Sequence, residues 1–221
     1  MKTIIQKSLK DIFSAEVLLF VLKIGSASLA LTLFLTWGLW DSLSAFIVSY
    51  LSWIPWEWLQ TSGASVITFT LSYLIFMIIV ALLTALYSEK LLIRLGKKHY
   101  HDVAVVGTPN IMTSLLLTLK ASFFALALFM FFLPFFFVPI LGQILFIYMG
   151  SILLKEPSIY DVGTLFIAEK ATLKAKRKKA RLISIIASLF NLIPFANLFA
   201  SVFAQIVFLH YVLKEESNQI S

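Results

Sequence analysis

The sequence predicts an all-α integral membrane protein forming a single polytopic domain over residues 1–221, and three observations support this prediction. Hydrophobic residues make up 60% of the chain, charged residues only 13%, and the mean hydropathy is +0.95. Soluble domains are roughly 45–50% apolar and about 25% charged. The apolar residues form long runs, several of them near the ~20 residues that a helix needs to cross a bilayer, and most basic residues lie between those runs. Lipid is therefore the expected solvent for much of this surface.

The first half of the chain is predicted to form one short and two long helices. In residues 1–22, apolar side chains recur on one helical face and lysines lie mostly elsewhere, which predicts an amphipathic helix at the membrane interface. Residues 17–40 form an apolar run interrupted only by Lys23. The range 64–96 is free of charge up to residue 87 and keeps helical leucine spacing beyond it, so a long helix is predicted to end at Gly96.

The second half is predicted to form two helical hairpins, over 111–154 and 182–213. Pro139 and Gly142 mark the first turn, and Pro194 marks the second. The apolar run that begins at residue 182 lasts only about a dozen residues, or ~18 Å of helix, against a ~30 Å hydrocarbon core. We therefore expect partial penetration of the bilayer, with the tip of the second hairpin buried among other helices because bare turns are not tolerated against lipid.

The distribution of basic residues predicts the orientation. The loop over 41–63 contains no Lys or Arg, nor do the turns at 134–142 and 192–198, whereas the other connections hold nearly all 18 of them. By the positive-inside rule both termini are cytoplasmic. The basic segment 170–181 would suit nucleic acid, but beside a hydrophobic hairpin it is predicted to meet anionic lipid headgroups instead, so no nucleic-acid partner is expected.

Enzyme signatures are missing from the sequence, so no catalytic residue, cofactor or metal site is predicted. There is no P-loop, dinucleotide fingerprint, His-Glu-x-x-His or Gly-x-Ser-x-Gly element. The three histidines are not arranged as a clear metal set, and His99 and His101 are expected to be solvated. No Asp or Glu falls inside an apolar run, which argues against proton-coupled transport through intramembrane carboxylates.

Lys23 and Lys120 are the charged residues that lie well within apolar runs. An intramembrane cation is costly and is by default a functional candidate, here for an anion pathway. The alternative is that both lysines, which lie in the cytoplasmic halves of their helices, extend to the headgroups.

The hairpin tips supply further candidates for the substrate pathway. A helix that begins after a buried turn directs free N–H groups and its positive dipole end towards the turn, which favours anions. Gln143, Asn191 and Asn197 lie at these turns and can add neutral donors. Such residues also join helices in ordinary membrane proteins, and that structural role remains the alternative.

Several short motifs occur together in this chain. They are Ile93-Arg94-Leu95-Gly96, the run from Phe137 through Pro139 and Gly142 to Gln143, Tyr160-Asp161, and the run from Leu189 through Asn191, Pro194 and Asn197 to Phe199. In order and spacing they resemble the CysZ sulfate-permease family, which shares a domain with the etoposide-induced membrane proteins.

This resemblance implies two long transmembrane helices, two partly penetrating hairpins, a homo-oligomer and sulfate passage across a bacterial inner membrane. The alternative it allows is a non-transporting membrane interaction or scaffold protein of the etoposide-induced type. The family's sulfate members carry a Gly-apolar-Arg element near the start of the first long helix, where this chain has Ala15-Glu16-Val17-Leu18. The Tyr-Pro dipeptide usual after the Asp is likewise replaced by Val162-Gly163.

Overall fold

The computed structural model describes residues 2–52, 55–100, 103–168, 170–193 and 196–220, with the side chains at 59, 170–172, 174–175, 177–179 and 215–220 excepted. These residues form helices and connecting turns, with no strand among them. Within this part of the chain, five helices are long and apolar enough to cross a membrane by length and composition. The predicted fold class, an all-α membrane protein, is confirmed.

The N-terminal segment forms two helices, α1 (Lys2–Ile12) and α2 (Ala15–Tyr50). The break occurs earlier than the predicted boundary at residue 22 because Ser14 acts as the N-cap of α2, accepting a 3.5 Å hydrogen bond from the Val17 amide. The buried side of α1 is formed by Ile4, Ser8, Asp11 and Ile12 and packs mainly against the last helix. Helix α1 therefore packs against the rest of the protein through a face that includes the Asp11 carboxylate.

The second long helix is observed as α3 (Glu57–Tyr87) followed by α4 (Glu89–His99). Backbone hydrogen bonding continues through the junction, since the Ser88 amide donates to Thr84 O and the Leu92 amide donates to Ser88 O, both at 2.9 Å. The helical segment ends three residues beyond the predicted stop at Gly96, and the Tyr100 amide closes it by donating to Gly96 O at 2.8 Å.

The first hairpin consists of α5 (Ile111–Phe131), a 3₁₀ turn (Leu133–Phe137) and α6 (Pro139–Phe166). Asn110 caps α5, its side-chain oxygen accepting from the Thr113 amide at 3.1 Å. The second arm continues past the predicted end at residue 154 because the charged pair Lys155 and Glu156, joined at 2.9 Å, is accommodated within the helix.

The second hairpin consists of α7 (Lys170–Ser188), 3₁₀ turns at Leu189–Leu192 and Ala196–Phe199, and α8 (Ala200–Ile220). Every residue from Ser201 to Leu213 is buried inside the protein. At the tip, Asn191 and Asn197 are buried, whereas Leu192 and Ile193 face outward. The second hairpin thus supplies the central helix of the molecule rather than a lipid-facing one.

Two hydrophobic clusters hold these elements together. One surrounds α8 and includes residues of α1, α4, α7 and the second half of α6. The other joins the far end of α2 to α3, α5 and the first half of α6. Because α6 contributes to both clusters, it connects the two ends of the bundle.

Candidate functional site

Lys23 lies in a basic cavity between α2 and the α3–α4 segment. The cavity has a volume of about 460 Å³, and its charged lining residues are Glu16, Lys23, Lys90 and Arg94. Ligand sites usually span ~300–1,000 Å³, so the basic cavity is large enough for a small hydrated ion. Three cations against one carboxylate favour an anionic occupant.

The charges of the basic cavity are only partly compensated. Arg94 Nε lies 2.9 Å from Glu16 Oε1, and these two side chains form an ion pair. Within the described part of the chain, neither Lys23 nor Lys90 forms an ion pair. The cavity therefore retains two lysine charges once the Arg94–Glu16 pair is counted as neutral.

Local helical geometry explains why these charges converge. Lys90 and Arg94 are four residues apart and so share a face of α4, where Arg94 Nε also donates to Lys90 O at 3.3 Å. Glu16 and Lys23 are seven residues apart, about two turns, and share a face of α2. Because α2 and α3 pack along each other, these two faces meet on either side of the cavity.

Lys120, which the sequence grouped with Lys23, is not part of the basic cavity. It is an exposed residue of α5, and α3 packs against both α2 and α5. Two lysines with the same sequence signature therefore belong to different surfaces of the bundle.

The structure brings Asn191 and Asn197 together around Tyr73 of α3. The Tyr73 hydroxyl donates to Asn191 O at 2.7 Å, and Tyr73 and Asn197 line the same cavity. The Asn191 side-chain nitrogen is buried and finds no acceptor among the described residues. The tip of the second hairpin is thus fixed to α3 while one amide donor remains available.

Gln143 lies at the other tip and is exposed. It borders a depression of about 200 Å³ together with Pro139, Gly142 and Leu192, so the two hairpin tips meet there. Pro139 is the first residue of α6, and a Cβ on Gly142 would lie 3.1 Å from Phe136 Cα, which explains the glycine. The third predicted turn residue, Pro194, lies outside the described residues.

Asn197 also borders a second, mainly apolar cavity between α2 and α3. This cavity has a volume of about 630 Å³ and is lined by residues that include Gly25, Thr32, Trp40 and Tyr73. It is separate in lining from the basic cavity. Of the five candidates chosen from sequence, three therefore gather at the hairpin tips, whereas Lys23 and Lys120 each lie elsewhere.

A buried carboxylate was missed by sequence reasoning. Asp161 is only 2% exposed and accepts hydrogen bonds from Ser114 Oγ at 2.6 Å and from Gln205 Nε2 at 2.9 Å. The three residues belong to α6, α5 and α8. No Asp or Glu falls inside an apolar run of the sequence, but α6 continues beyond its apolar run and places Asp161 among buried residues. The absence of carboxylates from the apolar runs therefore does not mean that the packed bundle lacks them.

A second buried carboxylate joins two of the histidines. Asp11 Oδ1 lies 2.7 Å from His99 Nε2, and Asp11 Oδ2 lies 2.7 Å from His210 Nε2. We call these three residues the His-Asp cluster. The prediction of a solvated His99 is wrong, while His101 lies outside the described residues. Since 88 and 199 residues separate Asp11 from its partners, local spacing could not reveal the cluster.

Tyr100 and Lys7 extend the His-Asp cluster. Tyr100 Oη lies 3.2 Å from His210 Nδ1, and Lys7 Nζ lies 4.4 Å from the centre of the Tyr100 ring. Burial raises the pKa of the Asp11 carboxyl, but its interactions with His210 and His99 outweigh burial, so this pKa lies below the ordinary value. Asp11 is therefore an ionised carboxylate at neutral pH.

The basic segment 170–181 forms the first turns of α7. Lys176 is buried, with its ammonium group 3.4 Å from Val212 O and 5.7 Å from the centre of the Tyr211 ring, whereas Arg181 is exposed. The prediction that this segment contacts anionic headgroups does not extend to Lys176, which packs against α8 instead.

Comparison with known families identifies the chain. The family model described as "Sulfate transporter CysZ/Etoposide-induced protein 2.4" matches residues 4–201. The chain belongs to this family. No curated protein and no solved structure matches the chain.

The CysZ/etoposide-induced family match covers most of the features described above. It includes the basic cavity, both hairpin tips and Asp161, but it ends before Gln205 and His210 of α8. The family description names a transporter, which agrees with the expectation that the chain is not an enzyme. It also supports a multi-pass membrane protein related to sulfate transporters, as the apolar helices indicate.

Proposed function

We propose that this protein is an anion permease or channel that admits sulfate across a bacterial inner membrane. The observation that carries the proposal is the basic cavity in a member of a sulfate transporter family. Sulfate carries two negative charges, which the two uncompensated lysines, Lys23 and Lys90, would balance. The Arg94–Glu16 ion pair would hold α4 and α2 together on either side of the cavity.

The place of the family's first-helix arginine supports the same proposal. This chain has Ala15-Glu16-Val17-Leu18 there, without an arginine, and Glu16 pairs with Arg94 of α4. A guanidinium group therefore reaches the start of α2 from a different helix. The single Nε–H of Arg94 donates to Lys90 O, Glu16 lies beside it as an ion-pair partner, and the side chain is mostly exposed, so the two Nη groups are available to an incoming oxyanion.

The hairpin tips provide the next donors of the proposed pathway. Gln143 and Asn191 carry amide N–H groups, and that of Asn191 is unsatisfied among the described residues. An anion that loses its hydration water requires such donors, because burying a charge without hydrogen-bond partners is costly. Lys120, on the separate surface of α5, would contribute through the local potential rather than by contact.

The membrane topology belongs to the same proposal. We infer that both termini and the basic cavity face the cytoplasm, that the exposed lysines of 170–181 contact anionic headgroups, and that copies of the chain associate as a homo-oligomer. The positive-inside distribution supports the orientation. Protease protection of the connection between α2 and α3, measured in vesicles of known sidedness, tests it; cleavage of this connection from the cytoplasmic face would contradict it.

Uptake of radiolabelled sulfate into proteoliposomes tests the transport proposal. We expect Lys23→Gln and Lys90→Gln each to lower uptake about tenfold, equivalent to ~1.4 kcal/mol, because each removes a charged partner of the anion. Lys98→Gln is the matched control, since Lys98 is an exposed lysine of α4 that does not line the cavity, and it should retain wild-type uptake.

The same vesicles separate the alternatives. Wild-type uptake equal to that of empty vesicles would overturn transport and favour the non-transporting scaffold function that the etoposide-induced members of the family suggest. Uptake should also be compared with and without a pH gradient, using Asp161→Asn. Because Asp161 is a buried carboxylate, loss of gradient stimulation in this variant would identify coupling, whereas gradient-independent uptake would identify a channel.

A further inference from the structure

The His-Asp cluster joins three segments that are distant in sequence. Asp11 lies on α1, His99 is the last residue of α4, and His210 lies within α8. Each residue offers one ligand atom, and these atoms all lie within 4.8 Å of one another. Asp11 and His210 are buried, while the His99 side chain is 21% exposed. The cluster is therefore enclosed, with one member at its rim.

We propose that the His-Asp cluster is a structural binding site for a divalent transition-metal ion of the zinc class. Two imidazole nitrogens and one carboxylate oxygen form a donor set that suits Zn²⁺. At Zn–N distances of ~2.0–2.1 Å and Zn–O distances of ~2.0–2.2 Å, ligand atoms of a tetrahedral ion lie ~3.3 Å apart. The hydrogen-bonded atoms, now 2.7 Å apart, would have to separate, and any pair near the 4.8 Å limit would have to approach, for the three to surround one ion.

The tautomers of the two histidines allow a metal ion to replace their hydrogen bonds to Asp11. When the Nε2–H of a neutral imidazole donates to Asp11, the Nδ1 of that ring carries no proton. Metal binding requires the Nε2 lone pair, so the proton must move to Nδ1. For His210, Nδ1 faces Tyr100 Oη at 3.2 Å, and a phenol oxygen can donate to Nδ1 or accept from Nδ1–H. Tyr100 thus supports both tautomers, as outer-shell partners of metal-binding histidines do.

Metal binding would stabilise the folded protein. An ion held by one ligand from each of α1, α4 and α8 would fix the N-terminal helix to the bundle, since binding energy gained only in the folded state adds to stability. The ligand from α8 lies beyond the part of the chain matched by the family model. The site is independent of the basic cavity, so its test is independent of transport.

Metal binding is measured on the full-length protein in detergent, purified with a tag free of histidine and stripped with a chelator. After addition of Zn²⁺ and removal of the excess, we expect about one ion per chain by mass spectrometry, and Co²⁺ should give the visible absorption of a tetrahedral site. Zn²⁺ should also raise the unfolding temperature by several degrees. Absence of stoichiometric binding in the wild type would overturn the proposal.

Variants distinguish the site from background binding. His99→Gln, His210→Gln and Asp11→Asn should each weaken Zn²⁺ binding by at least ~100-fold, and Tyr100→Phe by about tenfold. If His210→Gln does not fold, His99→Gln decides, because the rim position tolerates an amide. Asp161→Asn is the matched control, since it removes a buried carboxylate outside the cluster, and it should bind Zn²⁺ as the wild type does. Unchanged binding in both His99→Gln and Asp11→Asn would refute the site.

Discussion

The two hairpins look alike in sequence, but the structure gives them different environments. Large side chains of the first hairpin, including Phe123, Phe124 and Phe131, are exposed on the outside of the bundle. In the second hairpin, Val202 to Leu213 are enclosed by protein. Both are apolar helical pairs, so composition alone does not distinguish a lipid-facing helix from a central one.

The arms of the two hairpins also differ in length. Helix α5 has 21 residues and α6 has 28, or ~31 and ~42 Å at 1.5 Å per residue, enough for a ~30 Å core. The apolar part of the first arm of the second hairpin is only Ala180–Leu192. The enclosed helix α8 and the turn before it nevertheless form a 19-residue apolar stretch, Ala196–Lys214, that is long enough to cross a membrane. The length of an apolar run therefore does not show whether the partner of a helix is lipid or protein.

Cysteine labelling gives the strongest test of whether the two hairpins penetrate the membrane to different depths. The chain contains no cysteine, so single substitutions can be labelled without background. We expect a membrane-impermeant maleimide added outside to label Ser52→Cys and Ile140→Cys but not Ile193→Cys, because the apolar part of the first arm of the second hairpin, Ala180–Leu192, is too short to reach the far interface. Labelling of Ile193→Cys at the rate of Ser52→Cys would show that both hairpins cross fully.

Truncation of a phenylalanine in each hairpin should give the largest difference in stability. Phe203→Ala in α8 should lower the free energy of unfolding by roughly 2–4 kcal/mol, because it leaves a cavity in a packed core. Phe123→Ala removes a side chain that is 70% exposed and should change it by less than about 1 kcal/mol. Thermal unfolding in detergent measures both, and equal losses would contradict the assignment of α8 to the core.

The glycine contact between the hairpins should have an intermediate effect. A Cβ on Gly150 would lie 2.6 Å from Asn191 Nδ2 and 3.1 Å from Ser188 Cβ, so Gly150→Ala should destabilise the protein by about 1–3 kcal/mol. Gly38→Ala is the control, because nothing lies within 4 Å of its added methyl group. Because Gly38 lies within a helix, Gly38→Ala should raise the free energy of unfolding by up to ~1 kcal/mol. A stabilised Gly150→Ala variant would mean that the hairpins do not pack here.

The smallest effect is expected at the tyrosine that fixes the second hairpin tip. Tyr73→Phe removes the 2.7 Å bond to Asn191 O and should cost about 1 kcal/mol in the free energy of unfolding. Tyr148→Phe, at an exposed tyrosine of α6, should leave stability within ~0.5 kcal/mol of the wild type. A Tyr73→Phe variant as stable as Tyr148→Phe would show that the hydroxyl does not hold the tip.

Much of the fold could be predicted from the sequence because helix length and apolar composition are local properties. The two long helices, both hairpins and the turn at Pro139 and Gly142 all follow from patterns within about 40 residues. The predicted end of α6 was too early because Lys155 and Glu156 continue the helix, and the predicted start of the first long helix was too late because Ser14 caps α2. Length and composition predict the helix but not how far it extends into polar sequence.

The candidate site was less predictable because it depends on which helical faces meet. Lys23 and Lys120 have the same local sequence signature, yet only Lys23 joins other cations, and those come from α4. Likewise, Asp161 and His99 each have polar partners 44 or more residues away. Periodicity within one helix carries no information about such partners, so the two buried carboxylates emerged only from the packing.

The length of α2 makes the bilayer itself a determinant of the basic cavity. Its apolar stretch, residues 17–40, is ~36 Å long, some 6 Å more than a ~30 Å hydrocarbon core. Such hydrophobic mismatch is relieved by tilting the helix or thickening the bilayer locally. Because Lys23 lies on α2 and Lys90 on α4, a tilt of α2 relative to α4 would change the distance between the two ammonium groups. We therefore expect the acyl-chain length of the lipid to affect how far the cavity opens.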